Sequence, residues 1–550
     1  MCNPLPRQLS ASSTGCLSPY AIKIECLDAR LDERSTPSET AWKSPKMRVC
    51  DNPEFGNSTP PAPRAEHARS APRSNARDAA RPKQQAGGES SRTGSRPPGP
   101  GPQPRAGGRG RGAGQPRAND ARACAYAVVR RVFEEDAYAD RALHAEAAGL
   151  APRDRALATR LAYGVVQRKA TLDHVIQTLA RRPTAKLEPA VLAALRLGVF
   201  QLAFMDRVPA HAAVGESVEL AKRHSRGGAG LVNAVLRRAA REARPLIDAL
   251  PERTPEEAAL RHSHPLWIAE MWFEQLGAEA ARALMAADNE PAEAAIRANT
   301  LKTTVQALAA QLPAAPAGDL PDALLLTRPF DAFSSPQWHD GLFMPQSRAA
   351  QAVARALDPR PGEHVLDLCA APGAKTTHLA ALMGNAGRIT AVERHPGRAE
   401  ALRRTAARMG AANVSVVVAD AADPIDGSYD RVLVDPPCSD LGTLAARPDA
   451  RWRKEPRDVA QLAELQRRIL ERGADVLRPG GTMVYSTCTI SPRENEHQIE
   501  AFLGRHADFH ADDMPSDLPV WDHPTVPRVS QTLPHRDGTD GFFIARMRKS

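Results

Sequence analysis

The sequence predicts an α/β fold in its second half, a doubly wound parallel sheet, preceded by an all-α bundle and a disordered basic tail. Three observations carry this. From residue 344 onward, short apolar runs alternate with helical patterns, the signature of strands joined by crossover helices. Between 121 and 245, Ala, Leu and Val recur at three- and four-residue spacing with almost no strand-like alternation. Before 120 the chain is rich in Pro, Gly, Ser and Arg, so it has too little apolar surface to offset the entropy of ordering.

At 550 residues the chain is too long for one ordinary domain. Its 42% hydrophobic and 25% charged residues suit a globular protein, and no run reaches the roughly 18 apolar residues of a membrane span. The start, Met1-Cys-Asn-Pro-Leu-Pro-Arg7, has no apolar core for a secretory signal. Eight cysteines are thinly spread, and none pairs across the two-residue gap of a zinc or redox motif. Reduced thiols, no metal, no membrane partner, a cytoplasmic location and a monomer are therefore the expectations. Of the formal charge of +9, most sits between Pro61 and Asp120, where twelve Arg or Lys face four Asp or Glu. A tail of that kind, with Arg105-Ala-Gly-Gly-Arg-Gly-Arg-Gly112, is either a nonspecific RNA contact or a solvated segment. Elsewhere the chain is close to neutral, so an RNA groove in the folded part must come from local clustering.

Residues 1–120 form the tail. Residues 121–245 form the helical domain, with helices over 123–133, 153–168, 171–180, 189–204, 212–224 and 230–241. Residues 246–343 are a mixed α+β linking segment. There His262 and His264 read as loop packing ahead of a helix begun at Pro265, not as a metal pair, and 296–302 reads as a strand. The last domain, 344–550, opens with an amphipathic helix over 349–357.

Its first strand ends in Leu366-Asp-Leu-Cys-Ala-Ala-Pro-Gly-Ala-Lys375. The small residues Cys369, Ala370, Ala371, Pro372, Gly373 and Ala374, followed by Lys375, let the backbone approach a ligand at a helix N-terminus. Further strands are expected at 388–392, 414–419, 429–434, 482–486 and 542–547, with helices at 398–409 and 459–477. Ligands of such a sheet bind beyond the carboxyl ends of its strands, and those ends carry Cys369, Glu393, Asp420, Asp435 and Cys488. Glu393 stands twenty residues after Gly373, the spacing of an acid that takes ribose hydroxyls. The turn lacks the three-glycine pyrophosphate fingerprint. That favours S-adenosylmethionine, a sulfonium with no phosphate to cradle, over a dinucleotide. Asp420 would then accept from the adenine amino group, although an Asp after a strand is more often a helix cap.

Asp435-Pro-Pro-Cys-Ser439 and Tyr485-Ser-Thr-Cys-Thr489 each place a cysteine just past a strand. These strands are neighbours in a methyltransferase-like sheet, so both thiols would face one pocket. A buried cysteine is commonly a small apolar filler, and that reading is kept for Cys369. Two thiols beside a methyl donor suit a pyrimidine: carbon 5 is a poor nucleophile until a thiolate adds at carbon 6. After methyl transfer the carbon 5 proton is removed and the thiol is eliminated. Asp435, hydrogen-bonded to the amino and ring-nitrogen edge, would offset the developing charge and favour cytosine over uracil.

The segments Leu366–Lys375, Asp435–Ser439, Thr487-Cys488 and Asp540-Gly-Phe-Phe543 together resemble the RsmB/Fmu (Sun) family of ribosomal RNA cytosine-5 methyltransferases. Arg207-Val-Pro-Ala-His-Ala-Ala-Val-Gly-Glu-Ser-Val218 and Leu231-Val-Asn-Ala-Val-Leu-Arg-Arg238 resemble the helical bundle of the antitermination factor NusB. The resemblance implies a Rossmann-like, S-adenosylmethionine-dependent catalytic domain behind an RNA-binding bundle. It implies methylation of a cytosine in small-subunit (16S) ribosomal RNA through a covalent cysteine adduct, with the base turned out into the pocket. Cys488 then corresponds to the nucleophile and Cys438 to the group that assists product release. The implied cofactor contacts are Cys369 to Lys375, Glu393, Asp420 and Asp435. Arg447-Pro-Asp-Ala-Arg-Trp-Arg-Lys454 is similar to the family's basic, tryptophan-containing loop, which implies a grip on phosphates and stacking on a base.

Two positions depart from the family pattern. Ala374 stands where a second glycine is common, and Ser347 follows Gln346 where an acid is usual. Three rival readings remain open at this point. One is a transfer RNA substrate. Another is a noncatalytic RNA-binding or antitermination protein. The third, a DNA-type enzyme, would use Cys438 as nucleophile and lack Thr487-Cys488.

Overall fold

The computed structural model describes residues 119–550, and the expected tail up to residue 118, with Cys2, Cys16, Cys26 and Cys50, lies outside the described residues. The described chain begins with seven helices: α1 (Asn119–Glu134), α2 (Ala139–Glu146), α3 (Pro152–Gln167), α4 (Lys169–Ala180), α5 (Pro189–Phe204), α6 (Ala210–His224) and α7 (Ala229–Asp248). Helix α5 starts on a proline at its first turn and is apolar on nearly every face, so it is buried as the axis of the bundle. Close packing around it depends on glycine. A Cβ on Gly198 would lie 2.4 Å from Leu236 Cδ1 of α7. Helix α7 is amphipathic and buries Val232, Val235, Leu236, Ala239 and Ala243 at helical spacing.

Helix α8 (Pro255–His262) opens with a capping box between Thr254 and Glu257 and stops at Ser263 in the left-handed region. Helix α9 (Leu266–Ala287) is interrupted at Gly277. Both pack against Leu441, Leu444, Ala450 and Ile490 of the C-terminal domain, and Trp272 Nε1 donates to the Ile490 carbonyl at 3.0 Å. Next come β1 (Ala295–Ala298), α10 (Val305–Ala309), β2 (Ala314–Pro316), β3 (Ala323–Leu326), α11 (Pro336–His339) and β4 (Phe343–Pro345). These strands form a sheet of order β2-β3-β1-β4, antiparallel at each paired edge. Arg297 of β1 is fully buried and donates to the Ala374 carbonyl at 3.3 Å and to Thr377 Oγ1 at 3.1 Å, tying this sheet to the turn after the first strand of the C-terminal domain.

The C-terminal domain runs through α12 (Arg348–Leu357), β5 (His364–Asp367), α13 (Ala374–Leu382), β6 (Arg388–Val392), α14 (Pro396–Met409), β7 (Val414–Val417) and β8 (Tyr429–Val434). It continues with α15 (Ala450–Arg453), α16 (Pro456–Val476), β9 (Leu477–Thr487), α17 (Glu496–Arg505), β10 (Phe509–Ala511), β11 (Val529–Gln531), α18 (Pro534–Asp537) and β12 (Phe543–Lys549). The strand order is β10-β12-β9-β8-β5-β6-β7, with β11 also on β12. Strands β5 to β9 are parallel, as the alternating pattern predicts, but β12 lies antiparallel to β9 and to β11. The link from β11 to β12 contains only the four-residue α18, too short for a crossover, so the chain can only reverse direction there. No helix among the described residues is long and apolar enough to cross a membrane.

Candidate active site

The carboxyl ends of β5, β6, β8 and β9 surround a cavity of about 620 Å³. Its floor is the turn after β5. Gly373 has φ 105, and a Cβ there would lie 2.7 Å from Leu402 Cδ1, so both the turn and the close approach of α14 require glycine. Ala374 is already the first residue of α13, with right-handed angles, and the departure from a second glycine carries no strain. Cys369, Ala371, Pro372, Ala374 and Lys375 line the cavity. Ala370 and Gly373 act from behind it: the Ala370 N–H donates to the Val392 carbonyl at 3.0 Å. Beneath the turn, Thr376 Oγ1 donates to Asp367 Oδ2 at 2.7 Å, and burial pushes the Asp367 carboxyl up to about 7.

Glu393 and Asp420 both face the cavity. Glu393 is buried; its Oε1 accepts the His395 N–H at 2.9 Å and its Oε2 lies 3.6 Å from Arg398, which also donates to the Ala371 carbonyl at 2.9 Å. Asp420 Oδ1 accepts the Ala422 N–H at 3.0 Å, while Oδ2 is 3.8 Å from Arg394. Burial, followed by the charges of Asp367, Asp435 and Glu393, pushes the Cys369 thiol well up.

The two remaining cysteines meet. Cys438 Sγ and Cys488 Sγ are 3.3 Å apart, and both are free thiols. They arrive on neighbouring parallel strands, where Val434 pairs with Tyr485. The loops are stitched together: the Gly442 N–H donates to the Cys488 carbonyl at 3.0 Å, and a Cβ on Gly442 would lie 1.9 Å from the Gly541 carbonyl oxygen. Behind them the buried Glu494 accepts from the Ser439 N–H at 2.9 Å and from Gln466 Nε2 at 3.0 Å. Cys488 donates to Asp440 Oδ1 at 3.1 Å, and Arg447 donates to the same oxygen at 3.0 Å. The hydrogen bond with Cys438, then burial, then the Asp440 charge push the Cys488 thiol well up, so it rests protonated at neutral pH.

Asp435 is held on both sides, by Lys375 Nζ at 2.7 Å and by Ser486 Oγ at 2.8 Å. Lys375 thus leaves the turn and points to the thiol side of the cavity, with its ammonium 5.2 Å from the Phe542 ring centroid. Burial acts against the Lys375 charge, but Asp435 more than compensates and holds its pKa above the ordinary value. Ser347 caps α12 and hydrogen-bonds Asp540, so the acid on that wall of the cavity comes from Asp540, whose carboxyl burial pushes up to about 6. Cys438, Asp440 and Cys488 bring their donor atoms within 4.8 Å of one another, with Arg447 on the Asp440 carboxylate.

The basic loop is a correction. Arg451 and Trp452, expected to contact RNA, are turned inward. Arg451 is fully buried and donates to the carbonyls of Gln167, Ser263 and Asp288 and to Asn289 Oδ1 at 3.0–3.3 Å. Trp452 Nε1 donates to the Val166 carbonyl at 2.8 Å and its ring packs on the bundle core. A tryptophan anchored by its N–H inside a protein seam is not free to stack on a base. Only Arg447 and Lys454, at the ends of the loop, line the cavity. Sequence reasoning also missed Asp440, Glu494 and Tyr138, the last an exposed aromatic that the bundle contributes to the cavity. Asp440 carried one signal, an acid two residues past the Pro-Cys cysteine. Tyr138 carried none.

Comparison with known proteins agrees with this architecture. Residues 354–548 match the family model described as 16S rRNA methyltransferase RsmB/F. Residues 119–241 match the NusB family, and 264–332 match the ferredoxin-like domain of RsmF/B-like methyltransferases. A protein of Synechocystis described as a probable ribosomal RNA small subunit methyltransferase B is 37% identical over 449 residues, 78% of this chain and 99% of that one. The corresponding Bacillus subtilis protein is 38% identical, covering 73% of this chain and 92% of its own. The Vibrio cholerae ribosomal RNA small subunit methyltransferase B is 34% identical, covering 78% and 98%. Among solved structures, that of PH0851 superimposes with a TM-score of 0.66 at 29% identity, covering 79% of this chain and 99% of that chain. The strand-end cavity, the helical bundle ahead of it and these relatives together assign the chain to the RsmB/F family of 16S ribosomal RNA methyltransferases, to which it belongs.

Proposed function

We propose that this protein methylates carbon 5 of a cytosine in 16S ribosomal RNA, using S-adenosylmethionine and a covalent adduct between the base and Cys488. The observation that carries the proposal is the pair of free thiols 3.3 Å apart at adjacent strand ends, beside the Lys375–Asp435 ion pair. A methyl transfer to oxygen or nitrogen needs no nucleophilic thiol, whereas carbon 5 needs one to be activated and benefits from a second group for release.

The cavity suits the cofactor. Glu393 and Asp420 at consecutive strand ends offer acceptors for ribose hydroxyls and an adenine amine, and an acid-lined cavity suits a cationic sulfonium. Cys369, Ala371, Pro372 and Ala374 of the turn would hold the same ligand. When bound, the cofactor supplies an electrophilic methyl group. This chain's residues do the rest. Asp435 accepts from the cytosine amino group, while Lys375 holds the Asp435 carboxylate in place. Cys488 adds at carbon 6, and Cys438 assists release after the carbon 5 proton has gone. On this reading 121–245 binds RNA, 246–343 links, and 344–550 catalyses.

Mixing Cys438→Ala and Cys488→Ala proteins separately with unmodified 16S RNA and cofactor, then running denaturing gels, tests the proposal. An RNA adduct trapped only without Cys438 is the expected result. An adduct trapped only without Cys488 reverses the roles. Methyl transfer by the Cys488→Ala protein would sink the covalent mechanism.

A further inference from the structure

Cys488 rests as a thiol, and to add to a base it must lose its proton to something within reach. Two groups are: Cys438 Sγ at 3.3 Å and Asp440 Oδ1 at 3.1 Å. Asp435 makes its hydrogen bonds to Lys375 and Ser486 and none to Cys488. Asp440 is presented by an unusual piece of backbone, with φ 62, a region that Asp tolerates better than most residues with a side chain. The turn that follows folds back, with the Arg447 N–H donating to the Thr443 carbonyl at 2.8 Å, and so brings the Arg447 guanidinium onto the same carboxylate oxygen. A cation there fixes which oxygen faces the sulfur.

We propose that Asp440 is the proton acceptor for the Cys488 thiol, positioned by Arg447; the assignment rests on the reading of Cys488 as nucleophile given above. On addition the sulfur–hydrogen bond breaks and its proton passes to the Asp440 carboxylate. The sulfur forms its bond to carbon 6, and the displaced carbon 5–carbon 6 electron pair becomes available at carbon 5. That pair bonds the methyl group. On elimination a water molecule takes the carbon 5 proton, and the pair it leaves re-forms the carbon 5–carbon 6 double bond. The carbon 6–sulfur bond breaks with its own pair going to sulfur, which takes the first proton back from Asp440. Cys438, Asp440 and Arg447 act on the titration of Cys488, the Cys488 charge acts on Lys375, and Asp435 and Asp540 line the same cavity.

Two effects of the Asp440 charge predict opposite signs, which makes the idea testable. As a mere neighbour, the carboxylate raises the proton affinity of the thiol and hinders it. As an acceptor, it speeds addition. Single-turnover methyl transfer to 16S RNA and iodoacetamide alkylation of Cys488 are measured in wild type and in Asp440→Asn, whose side chain keeps the shape and tolerates the same backbone. The variant is expected to methylate about 10²-fold more slowly or worse at pH 7. Its rate should climb about tenfold per pH unit as hydroxide replaces the lost base, while its alkylation becomes faster than in wild type. An Asp440→Gly protein, also at ease at φ 62, should be accelerated by added formate. Methylation that is unchanged or faster in Asp440→Asn overturns the proposal. A Cys438→Ala protein run alongside separates the underlying reading. Its Cys488–RNA adduct should form and should form more slowly once Asp440→Asn is added. An adduct on any other residue removes the nucleophile and the role of Asp440 with it.

Discussion

Between Asp435 and Lys454 the chain makes one long excursion, and its two halves handle charge in opposite ways. In the first half Asp435, Cys438, Asp440 and Arg447 all line the cavity, each matched to a partner within 3.3 Å. In the second half Arg451 and Trp452 are driven into the seam between the bundle, the linking segment and the catalytic domain, where backbone carbonyls accept from both terminal nitrogens of Arg451 and from Trp452 Nε1. Both halves read as polar loop in the sequence. A guanidinium is a site group where it meets a carboxylate at the rim of a cavity and a structural bolt where it meets carbonyls out of reach of solvent.

Breaking the bolt should have the largest effect. Arg451→Ala leaves the carbonyls of Gln167, Ser263 and Asp288 without their donor and should lower unfolding stability by about 3 kcal/mol or more. Urea unfolding measures this, and a loss below about 1 kcal/mol would mean the seam does not depend on it. On the other side of the comparison, Lys375→Met keeps the apolar stem beside Phe542 but removes the cation from Asp435. Methyl transfer should fall about 10²-fold with little change in the unfolding midpoint. A fall of less than about threefold would place the ion pair outside the chemistry. The mildest change is Trp452→Phe, which keeps most of the packing and deletes only the bond to Val166. It should cost about 1 kcal/mol of stability, with the methyl-transfer rate per folded molecule unchanged. A rate loss greater than its stability loss explains would return Trp452 to RNA contact.

Much of the fold was legible because its periods are local. The helix expected over 189–204 is found at Pro189–Phe204, and the strands expected at 388–392 and 429–434 are found there. The short helices α2 and α8 were harder to read, since eight residues span barely two turns and carry little periodic signal. Of the site, Glu393, Asp420, Asp435, Cys438 and Cys488 were visible as strand-end residues, because a doubly wound sheet exposes its ligands there whatever else surrounds it. Glu494 was not visible: its carboxylate organises both cysteine loops from below, in a segment with no period to mark it.

The sequence by itself determined the longer helices, the main strands of the last domain and the residues that follow those strands, since these come from the 3.6- and 2-residue repeats and from small residues in tight turns. It also determined the family, through motifs read in order along the chain. Tertiary structure alone decided the pairings. Cys438 and Cys488 are 50 residues apart and meet only because β8 and β9 are neighbours. Arg451 is 284 residues from Gln167 and is buried only because the bundle lies against its loop. A loop has no repeat of its own, so whether its charges face water, a ligand or a seam is set by whatever distant elements bring alongside it.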